Sequence, residues 1–297
     1  MIDFFTRYGY APDIEAVNRS LQIISQNLEN SAGPKVLKDC FSMMDLTTLK
    51  SNDTPKSVMK LVRKVNEFRS QYPDYPNPAS VCVYPNFAPL LKESLSADGV
   101  HITVVAACFP TAQSFLEVKL REVEMAVEAG ADEVDIVLAL NSFLEGDYEK
   151  ASGEISAVRD VIDRTAAGQG RRVVLKVILE TGLLVTPENI ANASFLAMEA
   201  GADFIKTSTG KVEVNATPTA AYIMCECISA FFKATGRKVG FKAAGGMTTA
   251  SDAVSYYSIV GTVLGKEWLN KNLFRLGVSR MANNLISEVE QETVSYF

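Results

Sequence analysis

Two lysines in this sequence each end a short apolar segment and precede small polar or glycine residues. Lys206 follows Phe204-Ile205 and precedes Thr-Ser-Thr-Gly, and Lys242 precedes Ala-Ala-Gly-Gly. A lysine at the end of a buried strand is costly unless its charge is paired or suppressed. For one such lysine alone, a structural pairing with a carboxylate is the simpler interpretation.

A repeated segment supplies the carboxylate. Residues 128–137 (EAGADEVDIV) and 199–208 (EAGADFIKTS) start alike, and their alignment places Asp135 at the position of Lys206. Each copy has the pattern of a helix end, a glycine stop and a strand. If both strands belong to one closed parallel barrel, as second neighbours, they contribute to the same interior layer. The sequence therefore predicts that a carboxylate and an ammonium group meet inside a barrel.

A buried lysine beside a second cation and a carboxylate is suited to Schiff-base catalysis. An ordinary lysine, with a pKa of about 10.4, is neutral in about one molecule in 2,500 at pH 7. Lowering that pKa by about three units takes roughly 4 kcal/mol, which desolvation and a neighbouring ammonium can supply. The neutral amine attacks a carbonyl, the iminium allows the adjacent carbon–carbon bond to break, and Asp135 can transfer protons. This chemistry needs no metal or cofactor, and the residues alone do not rank Lys206 above Lys242.

Three predicted loops carry residues that suit a phosphate group, two of them directly after the lysines. The residues are Thr209, Gly210, Lys211, Gly245, Gly246 and Ser279. A Gly-Gly pair alone is more often a simple turn. Parallel barrels, however, commonly hold phosphate in the loops after strands seven and eight and at a helix N-terminus. The three loops together favour a phosphorylated substrate.

The elements that must position these residues alternate between short β-like segments and amphipathic helices. Eight segments have the strand pattern: 41–45, 81–84, 102–107, 133–137, 173–178, 204–206, 239–242 and 273–277. Thr-Pro pairs at 54–55, 186–187 and 217–218 predict helix starts, with an N-cap threonine before a first-turn proline. Unbroken alternation predicts an α/β fold, a closed (β/α)8 TIM barrel at 39–297. Residues 1–38, with apolar residues at helical spacing, are predicted as an N-terminal helical extension.

An open doubly wound sheet is the alternative fold, but no GxGxxG motif follows the first strand. In a barrel, the active site lies at the C-terminal ends of the strands. The residues at those ends are Asp45, Cys82, Asp135, Lys176, Lys206 and Lys242. We therefore count Asp45 as a substrate-binding candidate, whereas strand alternation alone does not fix the side on which Lys176 lies. An inert buried thiol is as good an interpretation of Cys82 as any role in the site.

Composition excludes several classes of function. The 297 residues carry a net charge of −6 without a basic stripe, which argues against nucleic-acid binding. No run of about 18 apolar residues predicts a membrane span, and the start of the chain does not have the pattern of a secretion signal. Five scattered cysteines suit a reducing compartment, so we expect a cytoplasmic protein. The single histidine, His101, nearly excludes histidine-rich zinc sites and His-dependent nucleophilic catalysis, and we expect no metal.

Over roughly residues 40–285 the chain resembles the deoxyribose-phosphate aldolase family. Six segments carry the resemblance: 44–49 (MDLTTL), 81–85 (VCVYP), 131–137 (ADEVDIV), 175–178 (LKVI), 202–211 (ADFIKTSTGK) and 240–246 (GFKAAGG). The resemblance implies that Lys206 forms the Schiff base and that Asp135 and Lys242 relay protons and tune its pKa. It implies reversible cleavage of 2-deoxy-D-ribose 5-phosphate to acetaldehyde and D-glyceraldehyde 3-phosphate without a cofactor. We expect these small molecules as partners, and the sequence leaves the oligomeric state open, with a homodimer as one candidate assembly.

The resemblance also implies that Gly210, Lys211, Gly246 and Ser279 hold the phosphate. Relatives commonly carry two successive serines after strand eight, but this chain has Ser279 followed by Arg280. Arg280 could bind phosphate through two hydrogen bonds or face solvent. Many relatives end in a tyrosine that reaches the active site, and the penultimate Tyr296 leaves that role open here.

Two other functions stay open at this point. One is a class I aldolase for another sugar phosphate, such as a ketose phosphate. The other is a barrel that binds a sugar phosphate without turning it over, although the joint presence of Asp135, Lys206 and Lys242 argues against it.

Overall fold

Eight parallel strands pair in sequence order and close into a barrel in the computed structural model, which describes residues 3–297. They are β1 (Met44–Thr47), β2 (Ser80–Val83), β3 (His101–Val105), β4 (Glu133–Val137), β5 (Val174–Ile178), β6 (Phe204–Lys206), β7 (Gly240–Ala244) and β8 (Phe274–Val278). Strand β1 pairs with both β2 and β8, which closes the sheet. The predicted TIM barrel is confirmed, and the open doubly wound sheet is excluded.

The helices form the outer layer of the barrel. They are α1 (Phe4–Tyr8), α2 (Ile14–Gln26), α3 (Leu28–Ser31), α4 (Pro34–Ser42), α5 (Pro55–Gln71), α6 (Ala88–Ser94), α7 (Leu116–Glu128), α8 (Leu140–Leu144), α9 (Tyr148–Ala167), α10 (Thr181–Leu184), α11 (Pro187–Glu199), α12 (Pro218–Thr235), α13 (Ala250–Val263) and α14 (Met281–Glu290). Short 3₁₀ turns lie at Pro85–Phe87 and Lys266–Trp268. Thr54, Thr186 and Thr217 each accept a backbone hydrogen bond in the first turn of the helix that follows, as the Thr-Pro pairs predict.

Strand boundaries agree with the prediction except at the first strand. The predicted segments for β4 and β6 match the structure, and the others shift by one or two residues at an end. The prediction of a first strand at 41–45 is wrong, because helix α4 continues to Ser42 and β1 begins at Met44. Leu37, Cys40 and Phe41 are buried at helical spacing, so helical packing takes the residues that an apolar pattern assigned to the strand.

The N-terminal segment packs on the outer helices. Helix α1 contacts α11 and α12, and α2 contacts α12 and α13. Tyr8 stacks on Phe195 with ring centroids 4.5 Å apart, and its hydroxyl donates to Glu199 at 2.7 Å. The Tyr10 hydroxyl donates to Glu226 at 2.8 Å. The predicted boundary between residues 38 and 39 lies inside α4, and the division into an extension and a catalytic domain stays a prediction.

The charged residues of the strands lie inside the barrel rather than in the apolar layer around it. On β4, Val134 and Ile136 belong to the large apolar core, whereas Glu133 and Asp135 alternate with them and contact residues of other strands. Both carboxylates are fully buried. Strand alternation therefore separates an apolar shell from a charged interior, in which the site is built. Within residues 3–297, no helix has the length and apolar character of a membrane span.

Candidate active site

The carboxylate and the ammonium group that the repeated segment places on equivalent strand positions meet inside the barrel. Lys206 at the end of β6 donates from Nζ to Oδ2 of Asp135 on β4 at 2.8 Å. The two strands are second neighbours, separated by β5. The predicted pair is confirmed, and it lies at the C-terminal half of the barrel.

Two further lysines bind the same carboxylate. Lys242 on β7 donates to Asp135 Oδ2 at 2.8 Å and lies 2.5 Å from Asp45 Oδ2. Lys176 on β5 donates to Asp135 Oδ1 at 2.8 Å and lies 2.6 Å from Glu133 Oε2. The register explains this convergence, because Asp135 pairs with Lys176 across β4–β5 and Lys206 pairs with Lys242 across β6–β7. Paired residues of parallel strands project on the same side of the sheet.

Below this cluster the charges continue toward the N-terminal end of the barrel. Arg275 on β8 donates to Glu133 Oε1 and to Asp45 Oδ1, each at 2.6 Å. Glu133 also accepts from Thr103 at 2.7 Å and lies 2.8 Å from His101 Nδ1. The interior is therefore one connected network that runs from Lys206 to His101.

The buried part of the network, which excludes the 38%-exposed His101 at its lower end, has one more potential cation than anions. Its cations are Lys176, Lys206, Lys242 and Arg275, and its anions are Asp45, Glu133 and Asp135. An uncompensated charge is expensive in a buried site, so neutralising one lysine brings the network to balance. Lys206 contacts a single carboxylate, whereas Lys176 and Lys242 each contact two at 2.8 Å or less. Lys206 is therefore the lysine whose proton is removed at the lowest cost.

The pKa values of the lysines follow the same order. Burial lowers the pKa of Lys206; the Asp135 carboxylate opposes this shift, but the Lys242 ammonium adds to it, and the pKa stays below its usual value. Burial also disfavours charge on Lys176 and Lys242, but their carboxylate neighbours outweigh it and raise both pKa values. Lys206 is thus distinguished electrostatically from its two neighbours.

Asp135 is held as an anion. Burial alone would raise the pKa of its carboxyl group, but the ammonium groups of Lys176, Lys206 and Lys242 keep it well below its usual range. A carboxylate of this kind is a weak base while all three neighbours are charged. It becomes a better proton acceptor when one of them loses its charge.

A cavity of about 260 Å³ opens at the C-terminal end of the barrel, directly above Lys206. It is lined by Thr47, Thr48, Leu49, Lys50, Lys206, Thr209, Gly210, Lys211, Ala244, Gly245, Gly246, Gly277, Val278 and Ser279. The Lys206 side chain is 4% exposed, whereas those of Lys176 and Lys242 are 0% exposed and do not line the cavity. A ligand in the cavity can therefore reach Lys206 but neither of the other two lysines.

The walls of the cavity are fixed by polar contacts between loops. Lys211 donates from Nζ to the Leu49 carbonyl at 2.5 Å, which joins the loops after β6 and β1. Thr209 donates from its backbone N–H and its hydroxyl to Glu180, at 3.1 and 2.5 Å. Burial raises the pKa of Glu180. Across the cavity, Gly245 and Gly246 have φ of +81° and +77°, in the left-handed region that favours glycine.

The structure brings most of the predicted site residues together. Thr209, Gly210, Lys211, Gly245, Gly246 and Ser279 line the cavity with Lys206, and Asp135 and Lys242 lie directly beneath it. Asp45 is fully buried under the cavity, where it contacts Lys242 and Arg275 instead of lining the wall. Arg280 is exposed and does not line the cavity.

Two residues with open roles lie elsewhere. Tyr296 donates its hydroxyl to the Lys64 carbonyl at 2.7 Å and packs on Phe68 of α5, so it does not reach Lys206 in this structure. Cys82 is fully buried, and burial raises the pKa of its thiol. All five cysteines are free.

Sequence reasoning missed the loop after β1 and the lower part of the charge network. Residues 47–50 form one wall of the cavity, and their place after the first strand, together with the 44–49 segment that carries the resemblance, could have indicated it. Glu133 and Arg275 are charged residues within apolar strand segments, which is the signal that identified Lys206. Among residues 3–297, no group of three or more His, Cys, Asp or Glu residues is placed to hold a metal ion.

Comparisons with known proteins identify a family and several similar proteins. Residues 40–271 match the family described as DeoC/LacD family aldolase. A deoxyribose-phosphate aldolase of Homo sapiens is 40% identical over 266 residues, which cover 84% of this chain and 78% of the human protein. A tetrameric deoxyribose phosphate aldolase from Aeropyrum pernix has a TM-score of 0.65 at 26% identity, covering 90% of this chain and 96% of that one. A solved structure described as "QR15, an Aldolase" has a TM-score of 0.67 at 25% identity, covering 85% of this chain and 97% of that one.

Proposed function

This chain belongs to the DeoC/LacD family of aldolases, and we propose that it cleaves 2-deoxy-D-ribose 5-phosphate reversibly to acetaldehyde and D-glyceraldehyde 3-phosphate through a Schiff base on Lys206. One observation carries the assignment of the nucleophile. Lys206 is the lysine of the buried network that lines the cavity, and its pKa is lowered while those of Lys176 and Lys242 are raised.

The proposed reaction begins with the neutral amine of Lys206. Its lone pair adds to the aldehyde carbon of the open-chain sugar, and uptake of one proton with loss of water leaves a protonated iminium. The C3 hydroxyl then passes its proton to Asp135 as the C2–C3 bond breaks, and the bonding electrons move into the iminium to form an enamine. D-Glyceraldehyde 3-phosphate leaves, and C2 of the enamine takes the proton back from Asp135. Water then adds to the iminium and releases acetaldehyde, the neutral amine and one proton.

Asp135 and Lys242 are proposed to manage protons and charge in these steps. Asp135 lies 2.8 Å from Lys206 Nζ, so it stabilises the positive charge when the iminium forms. While Lys206 is neutral, Asp135 has one ammonium neighbour fewer and is a better proton acceptor than in the fully charged network. Lys242, 2.8 Å from the same carboxylate oxygen, keeps a positive charge beside Lys206 and disfavours its protonation.

The phosphate end of the substrate is proposed to lie against the loops after β6, β7 and β8. Gly210, Gly245 and Gly246 provide backbone close to the cavity, Lys211 provides a positive charge, and Ser279 lies before the first turn of α14. Backbone N–H groups and a helix N-terminus suit a dianion. This placement directs the aldehyde end of the sugar toward Lys206.

The test is a retro-aldol assay that follows release of acetaldehyde from 2-deoxy-D-ribose 5-phosphate. We expect turnover by the wild type and a loss of at least about 1,000-fold in Lys206→Ala, since the nucleophile is removed. Circular dichroism should show that the variant remains folded. Absence of wild-type cleavage would contradict the proposed substrate and leave two functions, cleavage of another sugar phosphate or binding without turnover.

A competition assay separates the proposed substrate from other sugar phosphates. We expect acetaldehyde, and not dihydroxyacetone phosphate, to serve as the donor for addition to D-glyceraldehyde 3-phosphate. Preferential use of dihydroxyacetone phosphate would assign the enzyme to a ketose phosphate instead. We also propose a cytoplasmic location, consistent with five free cysteines, and a homodimer, which light scattering after size-exclusion chromatography would test.

A further inference from the structure

The charged network extends well beyond the residues that face the cavity. Lys176 and Glu133 are fully buried, and neither lines the cavity above Lys206. Lys176 joins Glu133 to Asp135 through contacts of 2.6 and 2.8 Å, and Asp135 in turn contacts Lys206 at 2.8 Å. The positions of Glu133 and Lys176 therefore connect the N-terminal half of the barrel to the reactive amine.

We propose that Glu133 and Lys176 are positioning residues that set the charge state of Lys206 by fixing the balance of charge in the buried network. The inference rests on the proposed Schiff-base function of Lys206. With Lys206 neutral, three cations (Lys176, Lys242 and Arg275) balance three anions (Asp45, Glu133 and Asp135). All six of these charged residues lie on barrel strands, so the register of the strands, and not the loops around the cavity, fixes their positions.

The direction of each effect follows from the sign of the charge removed. Loss of the Glu133 carboxylate leaves an excess of positive charge, which disfavours the ammonium form of Lys206. Loss of the Lys176 ammonium leaves an excess of negative charge, which favours that form. A purely structural role for the two residues would not produce shifts of opposite sign.

Other groups that face the two ends of this network remain in place in each variant. Lys206 is faced by Asp135 of β4, Lys242 of β7 and Cys82 of β2, and it also influences Glu180 in the loop after β5. Glu133 is contacted by Arg275, His101 and Thr103 besides Lys176. Because all of these groups are unchanged, a difference between the variants reports the charge that was removed.

The experiment measures the rate at which acetaldehyde forms a borohydride-trapped adduct on full-length protein as a function of pH. The near-isosteric variants are Glu133→Gln, Lys176→Met and the double variant. We expect the acidic midpoint of the profile to move down by about one pH unit in Glu133→Gln and up by about one unit in Lys176→Met. Such an upward shift lowers the rate below the midpoint about tenfold. The double variant should return to the wild-type midpoint, since it restores charge balance.

Lys119→Met is the matched control. Lys119 is another buried lysine, and it pairs with Glu154 at 2.6 Å on the outer helices α7 and α9. We expect it to lose stability without moving the midpoint. Thermal unfolding identifies variants that do not fold. If Lys176→Met does not fold, the midpoints of Glu133→Gln and the double variant are compared instead. The inference requires a lower midpoint in Glu133→Gln and the wild-type midpoint in the double variant.

The outcomes separate the inference from the proposed function. Adduct formation in the wild type with opposite shifts in the single variants supports both. Normal wild-type adduct formation, with shifts of one sign or none, overturns the charge-balance inference and leaves the function intact. Absence of an adduct on Lys206 in the wild type overturns the function and with it the inference.

Discussion

At the scale of single residues, the number of carboxylate partners distinguishes three buried lysines. Lys206 has one such partner within 2.8 Å, whereas Lys176 and Lys242 have two each. A hydrogen bond to a charged group contributes about 1.5–3 kcal/mol, so one additional carboxylate is enough to decide which lysine loses its proton. The same lysine has the access to the cavity that a nucleophile needs.

The sequence could predict the Asp135–Lys206 pair but not the order among the lysines. The repeated segment places the two residues on equivalent strand positions. Alternate strands of a barrel contribute to the same interior layer, so the two side chains meet there. The partners of Lys176 and Lys242 come from β1 and β4, which are distant in sequence from both. The burial of each lysine and the carboxylates that it contacts are set by the tertiary structure. From the sequence, only the resemblance to a family could identify Lys206 as the nucleophile among the three lysines.

We predict that Lys211→Gln weakens binding of the phosphorylated sugar. Removing one charged contact to phosphate should raise KM for 2-deoxy-D-ribose 5-phosphate about 10- to 100-fold, while kcat changes less. Steady-state kinetics checks this, with the exposed Lys266→Gln as the control for loss of a positive charge. An equal loss with unphosphorylated 2-deoxyribose would show that Lys211 acts on something other than phosphate.

Arg280→Gln should have a much smaller effect than Lys211→Gln. Its side chain is exposed and absent from the cavity wall. Because an exposed charge contributes little interaction energy, we expect KM to change by less than about twofold. The same kinetic assay measures it. An increase in KM as large as that of Lys211→Gln would mean that the loop after β8 closes over the phosphate when the sugar binds.

At the scale of elements, the loops after β6 and β7 form the cavity because they pack on each other. Thr207 donates to the Ala244 carbonyl at 3.2 Å and accepts from the Ala244 N–H at 3.0 Å, which joins the two strand ends. A Cβ atom at Gly245 would lie 2.5 Å from the Asn215 side chain in the neighbouring loop. The Gly-Gly pair could be predicted as a turn, but its contact with Asn215 could not.

We predict that Gly245→Ala raises KM for the phosphorylated sugar by displacing the two loops. The control is Gly236→Ala at the end of α12, where φ is +73° and no atom lies within 4 Å of the added Cβ. Both variants should lose about 1 kcal/mol of unfolding free energy from backbone strain. Only Gly245→Ala should weaken binding, as measured by steady-state kinetics and urea unfolding. Unchanged KM in both variants would contradict the contact that we assign to Gly245.

At the scale of the whole molecule, strand–helix alternation was sufficient to predict the barrel. The Thr-Pro pairs mark the starts of α5, α11 and α12, and β4 and β6 are found as predicted. The first strand was misplaced because Phe41 is apolar in either context, and tertiary packing assigns it to helix α4. The division at residue 38 stays a prediction, whereas the packing of α1 on α11 and α12 and of α2 on α12 and α13 required the structure.

The charged interior makes stability depend on pH. The pKa values of Asp45, Glu133 and Asp135 are lowered in the folded state, because cationic neighbours outweigh the effect of burial. As pH falls, the unfolded chain therefore takes up protons before the folded protein does, and the stabilisation is lost below the ordinary carboxyl pKa values. We expect the urea midpoint to be nearly constant from pH 7 to about 5 and to fall steeply below about pH 4.5. A midpoint that is constant down to pH 3.5 would contradict the pairing described for the barrel interior.

The assignment of Lys206 as the nucleophile can be checked by reduction with borohydride in the presence of acetaldehyde, followed by proteolysis and mass analysis of the peptides. We expect an N-ethyl group on Lys206 in the wild type and no such group in Lys206→Ala. An adduct on Lys176 or Lys242 instead, or no adduct on the wild-type protein, would contradict it.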